Sequence, residues 1–258
     1  MITDLPLLHD PWFWLLAIPA VTLMGLSKGG FIGVGTLALP LMALALSPVR
    51  SAAVLLPLLV AQDAVGVWSY RKTWDARNMV VMMPGALIGI GLGYGFAASL
   101  SEAWVLVAVG TLSLLFGVQR LWTERGGRAV ASQRLPDSIG MICGFGSGLS
   151  SQIAHAGGPP FLLYVLPQRL PRDMFVGTTI MFFAVLNWVK VGTYSALGQF
   201  TPDNLLASAV LMPVAIAATF AGVWLVRRVE PERFYLIVNL LMALLGMKLI
   251  WDGAGTLY

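Results

Sequence analysis

Six runs of about twenty residues each are too long and too apolar for the interior of a small water-soluble domain. They are Ser51 to Tyr70, Asn78 to Ser99, Ala103 to Trp122, Asp173 to Leu197, Asn204 to Val226 and Arg233 to Trp251. A bilayer offers no partners to backbone N–H and C=O groups, so only helices or closed barrels cross it. The ten-residue alternation of outer-membrane strands is missing, which leaves helices. With 58% hydrophobic and 11% charged residues among 258, the chain reads as an all-α integral membrane protein. Its formal net charge of +4 then concerns which loops face which side of the membrane, and no nucleic-acid partner is expected. The single cysteine, Cys143, excludes an internal disulfide and a cysteine cluster for zinc or iron–sulfur. Met1 to Pro11 holds two aspartates, no Lys or Arg and no small-residue cleavage site. The first apolar run is therefore expected to remain as a helix.

Two other apolar regions are interrupted. Trp12 to Leu26 and Phe31 to Leu46 flank Ser27-Lys28-Gly29-Gly30, and Asp137 to Ser151 and Pro159 to Leu166 flank a polar break that ends at Gly158. A stretch of about 15 residues makes roughly 22 Å of helix, short of a full crossing. Each interruption comes before three full-length runs, and a hydrophilic linker separates the two sets. The expected organisation is a first membrane repeat at 1–122, a cytoplasmic linker at 123–136 and a second membrane repeat at 137–258. An offset of 124 residues superposes Ser27 on Ser151, Lys28 on Gln152, Gly33 on Gly157, Asp63 on Asn187 and Tyr70 on Tyr194. Interruptions in matching positions of two halves point to a transporter binding site.

Basic residues orient the chain. Arg71, Lys72 and Arg77 mark one loop as cytoplasmic, Arg120, Arg125, Arg128 and Arg134 the linker, Arg169 and Arg172 the next turn, and Arg227, Arg228 and Arg233 the last. The loops Ser99 to Glu102 and Gln199 to Asp203 lack Lys and Arg, and Arg50 alone is discordant. Three crossings per half make the second half inverted relative to the first, with both termini outside. Length favours broken elements that dip in and return, though full crossing satisfies the same parity. Their breaks then meet near the bilayer centre. The returning legs, from about Phe31 and from Pro159, would point helix N-termini at that volume, an arrangement that suits an anion.

Lys28 is the sharpest candidate, because an ammonium inside a membrane is costly and is kept for a purpose. The alternative is a surface position for Lys28 with Phe31 to Leu46 spanning fully. His155 can hydrogen-bond an anion or change protonation, since an unperturbed imidazole titrates near pH 6.5; neighbouring carbonyls can equally well satisfy it. Ser27, Ser150, Ser151 and Gln152 offer donors, while serine and glycine also line tight helix contacts. Asn187 and Lys190 share one helix face, with Gln62 and Asp63 as first-half counterparts. Asp63 with Lys28 and Lys190 can balance charge in an empty site, or it can be a structural pair between the halves. The expected substrate-binding set is Ser27, Lys28, Gly29, Gly30, Ser151, Gln152, His155, Gly157, Gly158, Asn187 and Lys190, with Asp63 and His155 for proton or ion coupling. Gly85, Gly89, Gly91, Gly93 and Gly95 have the small-residue spacing of a close helix contact. Trp68, Tyr70, Trp74 and Trp188 read as interface anchors or packing. No Gly-x-x-x-x-Gly-Lys-Ser/Thr is present, no cofactor is implied, and two histidines with scattered acids argue against a metal carrier.

These residues also carry a resemblance. Gly25-Leu26-Ser27-Lys28-Gly29-Gly30-Phe31 with Leu39-Pro40, Tyr70-Arg71-Lys72-Thr73-Trp74-Asp75, His155-Ala156-Gly157-Gly158-Pro159-Pro160 with Leu166-Pro167-Gln168, and Gly177-Thr178-Thr179 through Asn187 and Lys190 resemble the sulfite exporter TauE/SafE family of membrane permeases. The likeness runs over nearly the full chain and implies transport of sulfite or a small organosulfonate. The function expected is a secondary transporter in the cytoplasmic (inner) membrane, not an enzyme. Its partners would be a small anion, the lipid bilayer and a coupling proton or ion; whether it forms a homodimer stays open. A non-transporting membrane subunit is the main rival. An intramembrane hydrolase using His155 with Ser150 or Ser151 lacks a nearby orienting acid.

Overall fold

The computed structural model describes residues 10–29, 31, 34–99, 101–125, 134–225 and 232–256. Expectations attached to Gly30, Gly33, Arg128, Arg227, Arg228 and the segment 1–9 fall outside these residues. The described residues form ten α-helices and no strand. In chain order they are α1 (Pro11–Gly29), α2 (Ala38–Met42) after a 3₁₀ turn at Val34–Leu37, α3 (Pro48–Tyr70), α4 (Ala76–Ser99), α5 (Glu102–Arg125), α6 (Asp137–Ala154), α7 (Gly158–Val165), α8 (Arg172–Ala196), α9 (Pro202–Leu225) and α10 (Glu232–Gly255). Five stretches, 11–29, 48–70, 76–96, 172–196 and 202–225, are long and apolar enough to cross a membrane.

Local chemistry sets several boundaries. Ser47 caps α3 by accepting from the Arg50 backbone N–H at 3.3 Å, and Pro48 takes the first position, where a missing N–H costs nothing. In the first broken element the helix outlasts the expected stop at Leu26. It continues through Ser27, Lys28 and Gly29, because helix propensity tolerates the serine and lysine and the lysine finds a partner inside the protein. The returning leg is shorter than the expected Phe31 to Leu46. Among its described residues only a 3₁₀ turn and the five-residue α2 are helical, and residues 43–47 turn toward α3. Among the described residues this leg therefore presents no helix N-terminus of useful length, and the expected dipole from Phe31 is not found there. The second element follows its expected course, with α6 and the eight-residue α7 on either side of the break.

Glycine contacts give the direction of each helix pair. Gly85, Gly89 and Gly93 of α4 lie against Met141, Phe145 and Gln152 of α6, so these helices run parallel. Gly25 and Gly29 of α1 meet Ala218 and Gly222 of α9 in the same sense. By contrast, Gly66 faces Ile180, and Tyr70 packs on Val176, while Asp63 bonds Asn187 further along, so α3 and α8 run antiparallel. Gly110 against Gly246 and Gly253 against Ala103 make α5 and α10 antiparallel as well. Swapping the helices of one half for those of the other reproduces this pairing. Asp63 and Asn187 are each the sixteenth residue of their helix.

The loops sort by end. Arg77 pairs with Asp137 at 2.7 Å, Asn78 and Gln168 exchange amide hydrogen bonds at 3.0 and 2.8 Å, and the Asp75 N–H donates to Thr178 Oγ1 at 2.8 Å. The segments with Arg71, Lys72, Arg77, Arg134, Arg169 and Arg172 thus share one end of the bundle. Arg50 lies at the other, where its Nε donates to Asn204 Oδ1 at 3.0 Å. Trp68, Trp74 and Trp188 are exposed, as side chains facing lipid would be, whereas Tyr70 is buried.

Of the five α4 glycines singled out above, only three face α6. A Cβ on Gly89 would strike the Phe145 carbonyl and one on Gly148 the Ala86 carbonyl, whereas Gly91 and Gly95 face open space. Gly148→Ala is expected to destabilise the fold by about 1–3 kcal/mol through overpacking against backbone. Gly91→Ala should be neutral or slightly stabilising; thermal unfolding of the two variants in one detergent compares them directly.

Candidate functional site

At the end of α1, the Lys28 ammonium turns inward and donates to Asp63 Oδ1 on α3 at 2.5 Å. The other carboxylate oxygen, Oδ2, accepts from Asn187 Nδ2 on α8 at 2.6 Å. Asp63 is 1% exposed, and a carboxylate this deep needs both partners to offset its lost hydration. Lys28 Nζ also stands 5.7 Å from the Phe183 ring centroid, within cation–π range. The first-half broken element is thereby tied to the long helices of both halves.

The second-half element supplies a different arrangement. His155 ends α6 in the left-handed conformation, φ 50°, which is uncommon outside glycine and lets the Ala156 N–H turn back to the Ser150 carbonyl at 3.2 Å. This turn sends the imidazole into the protein. Its Nε2 lies 3.0 Å from the Ala52 carbonyl of α3, which can only accept, so Nε2 carries the proton. Nδ1 is then an acceptor, and Lys190 Nζ donates to it at 2.7 Å and to the Ser151 carbonyl at 3.1 Å. Tyr194 stacks on the ring at 6.0 Å between centroids and donates its hydroxyl to the Gln152 carbonyl at 3.0 Å. Lys190 is fully buried, and no carboxylate among the described residues lies within ion-pair distance of it.

Between the two arrangements lies a cavity. Ser27, Lys28, Ser151, His155, Gly158, Asn187 and Lys190 line it, and Asp63 stands behind Lys28 and Asn187. Three expected residues lie elsewhere. Gly29 packs on Gly222, Gly157 lies against Ser147 and Phe183, and Gln152 lines a separate cavity. Thr36, Thr179 and Phe183 line the central cavity without having been in the expected binding set. The last two were legible, since Thr179, Phe183, Asn187 and Lys190 follow the four- and three-residue spacing of one helix face. Thr36 sits in the 3₁₀ turn, where no periodicity announces it.

This geometry brings two amino groups into one cavity with a single carboxylate already shared by Lys28 and Asn187. Lys190 makes its contacts to neutral groups only, which leaves it free to receive an anion. Ser150 is not paired with His155: its Oγ donates to the Gly146 carbonyl at 2.7 Å, and both nitrogens of the His155 ring have other contacts.

Comparison with known proteins gives one family. Its description is Sulfite exporter TauE/SafE, and its sequence model matches residues 17–249. No curated protein and no solved structure matches.

Replacing Lys28 with Met strands a buried carboxylate and is expected to cost about 3–5 kcal/mol. Adding Asp63→Leu should return part of that loss, since no uncompensated charge is then left inside. Thermal unfolding of parent, singles and double completes the cycle; additive losses would show that the pair is not coupled.

Proposed function

Because the chain belongs to the sulfite exporter TauE/SafE family and is a multi-pass membrane protein, we propose that it is a secondary permease for a small sulfur-containing anion, sulfite or an organosulfonate. The substrate binds in the central cavity. The observation that carries this reading is the charge pattern there: Lys28 and Lys190 face one volume, and the carboxylate beside it, Asp63, is held by Lys28 and Asn187 while Lys190 meets neutral groups only. An arriving anion sits between the two amino groups and competes with Asp63 for Lys28. The Ser27 hydroxyl and the second N–H of the Asn187 amide, both on the cavity lining, meet its oxygens in this reading. Family membership favours this transport reading over a catalytic one.

In this reading the repeats are residues 1–122 and 137–258, joined by a cytoplasmic linker at 123–136. Both termini face the outer side of the cytoplasmic membrane, and the end rich in arginine faces the cytoplasm. The exchangeable pairing of the halves supports alternating access, in which each broken element moves with its glycine-packed partner, α1 with α9 and α6 with α4. Asp63 and His155 are the groups assigned to coupling. When Lys28 leaves it for the anion, Asp63 becomes a proton acceptor, and Nδ1 of His155 becomes one when Lys190 does the same.

A specific ligand at about 100 times its dissociation constant stabilises a fold by roughly 2.7 kcal/mol. Detergent-purified protein is therefore expected to unfold at higher temperature with sulfite or sulfoacetate than with chloride at equal ionic strength. Lys28→Gln should remove this shift and abolish transport in reconstituted vesicles while leaving a folded protein. An unchanged transport rate in that variant would overturn the charge role.

A further inference from the structure

A second, small cavity lies beyond the His155 ring. Ala52, whose carbonyl accepts from His155 Nε2, and Tyr194, which stacks on the ring, both line it. The ring with these two contacts forms the partition between this cavity and the central one. Val49 near the start of α3 and Leu197 and Gln199 after the end of α8 form its far wall, so it belongs to the end of the bundle without the arginine-rich loops.

Two features mark this cavity as a site. Gln152 is 2% exposed; the Thr193 hydroxyl, shared with the Lys190 carbonyl at 3.0 Å, donates to its Oε1 at 3.1 Å, and its Nε2 has no partner among the described residues. A buried donor left unmade costs about 1–3 kcal/mol, which a hydrogen-bond acceptor in the cavity recovers. Arg50 is the second feature. It stands behind the lining and is joined to it by hydrogen bonds: its Nε donates to Asn204 Oδ1 at 3.0 Å, and Asn204 in turn donates to the carbonyl of Gln199, which lines the cavity, at 2.9 Å. Lys248, by comparison, is paired with Asp252 one turn away. Arg50 has no carboxylate within ion-pair distance among the described residues. A guanidinium offers five N–H donors in a fork suited to oxyanions, and one is used here.

We propose that this second cavity is a binding station for a small oxyanion of the sulfonate type, with Arg50 supplying charge at its rim and Gln152 supplying the inner donor. The station rests on the permease reading and extends it: an anion passes between the central cavity and the far end of the bundle by way of this site, with the His155 partition between the two. A neutral amide and one partly engaged arginine hold the ion weakly, as a transit site must so that the ion leaves again.

The test uses the full chain with Cys143→Ala and Val49→Cys, which puts the one thiol on the cavity wall. Its alkylation by N-ethylmaleimide is timed with methanesulfonate, with sulfoacetate and with chloride at equal ionic strength. At least one sulfonate is expected to slow the reaction several-fold relative to chloride. Adding Arg50→Gln or Gln152→Glu should remove the protection. Arg50→Lys, which keeps the charge, should retain it, and so should Lys28→Gln, which alters only the central cavity. Equal rates in the sulfonates and chloride, or protection that survives both Arg50→Gln and Gln152→Glu, overturn the station. If protection fails while a sulfonate still stabilises the parent fold through Lys28, the station alone is wrong. If neither effect occurs, the permease reading falls with it.

Discussion

The interior of this protein depends on how a carboxylate can exist far from water. Asp63 is buried on α3 and held by one charged and one neutral donor from different parts of the chain. A buried ion is tolerated only when its partners are close and well placed. That requirement positions the end of α1, the middle of α3 and the middle of α8 together. The polar centre is thus both the costliest part of the structure and the joint between its halves.

Around that centre the helices are held by shape. Glycines at four-residue intervals bring α4 against α6 and α1 against α9 with backbone touching backbone. Lipid competes poorly for such a contact, because association inside a membrane relies on packing and hydrogen bonding rather than on expelling water. Each broken element consequently has a full-length companion from the opposite half. The antiparallel pairs α3 with α8 and α5 with α10 join the halves to each other, so close packing and polar bonding divide the work between them.

The asymmetry of the two broken elements has a chemical meaning. In the first, a lysine meets a carboxylate. In the second, a lysine meets a neutral imidazole whose tautomer is set by the Ala52 carbonyl. A cavity with one paired and one unpaired amino group is suited to take up negative charge, and the family to which the chain belongs is described by an anion.

Much of the architecture was legible from hydrophobicity alone. The bilayer demands runs of fixed length with satisfied backbones, so the six long helices, the two interruptions and the arginine-rich loops follow from composition along the chain. That Lys28, Asp63, Asn187 and Lys190 need partners inside the protein was legible for the same reason, since polar groups inside such runs cannot turn to water. Their pairing was not. Lys28 sits inside a helix expected to end before it, and Lys190 turns to His155 instead of Asp63. Gln152, the counterpart of Lys28 under the 124-residue offset, opens on another cavity. Each residue along a helix turns its side chain by about 100°. A difference of one or two residues therefore decides which cavity a group faces, and only the packed rotation of each helix against its neighbours decides that.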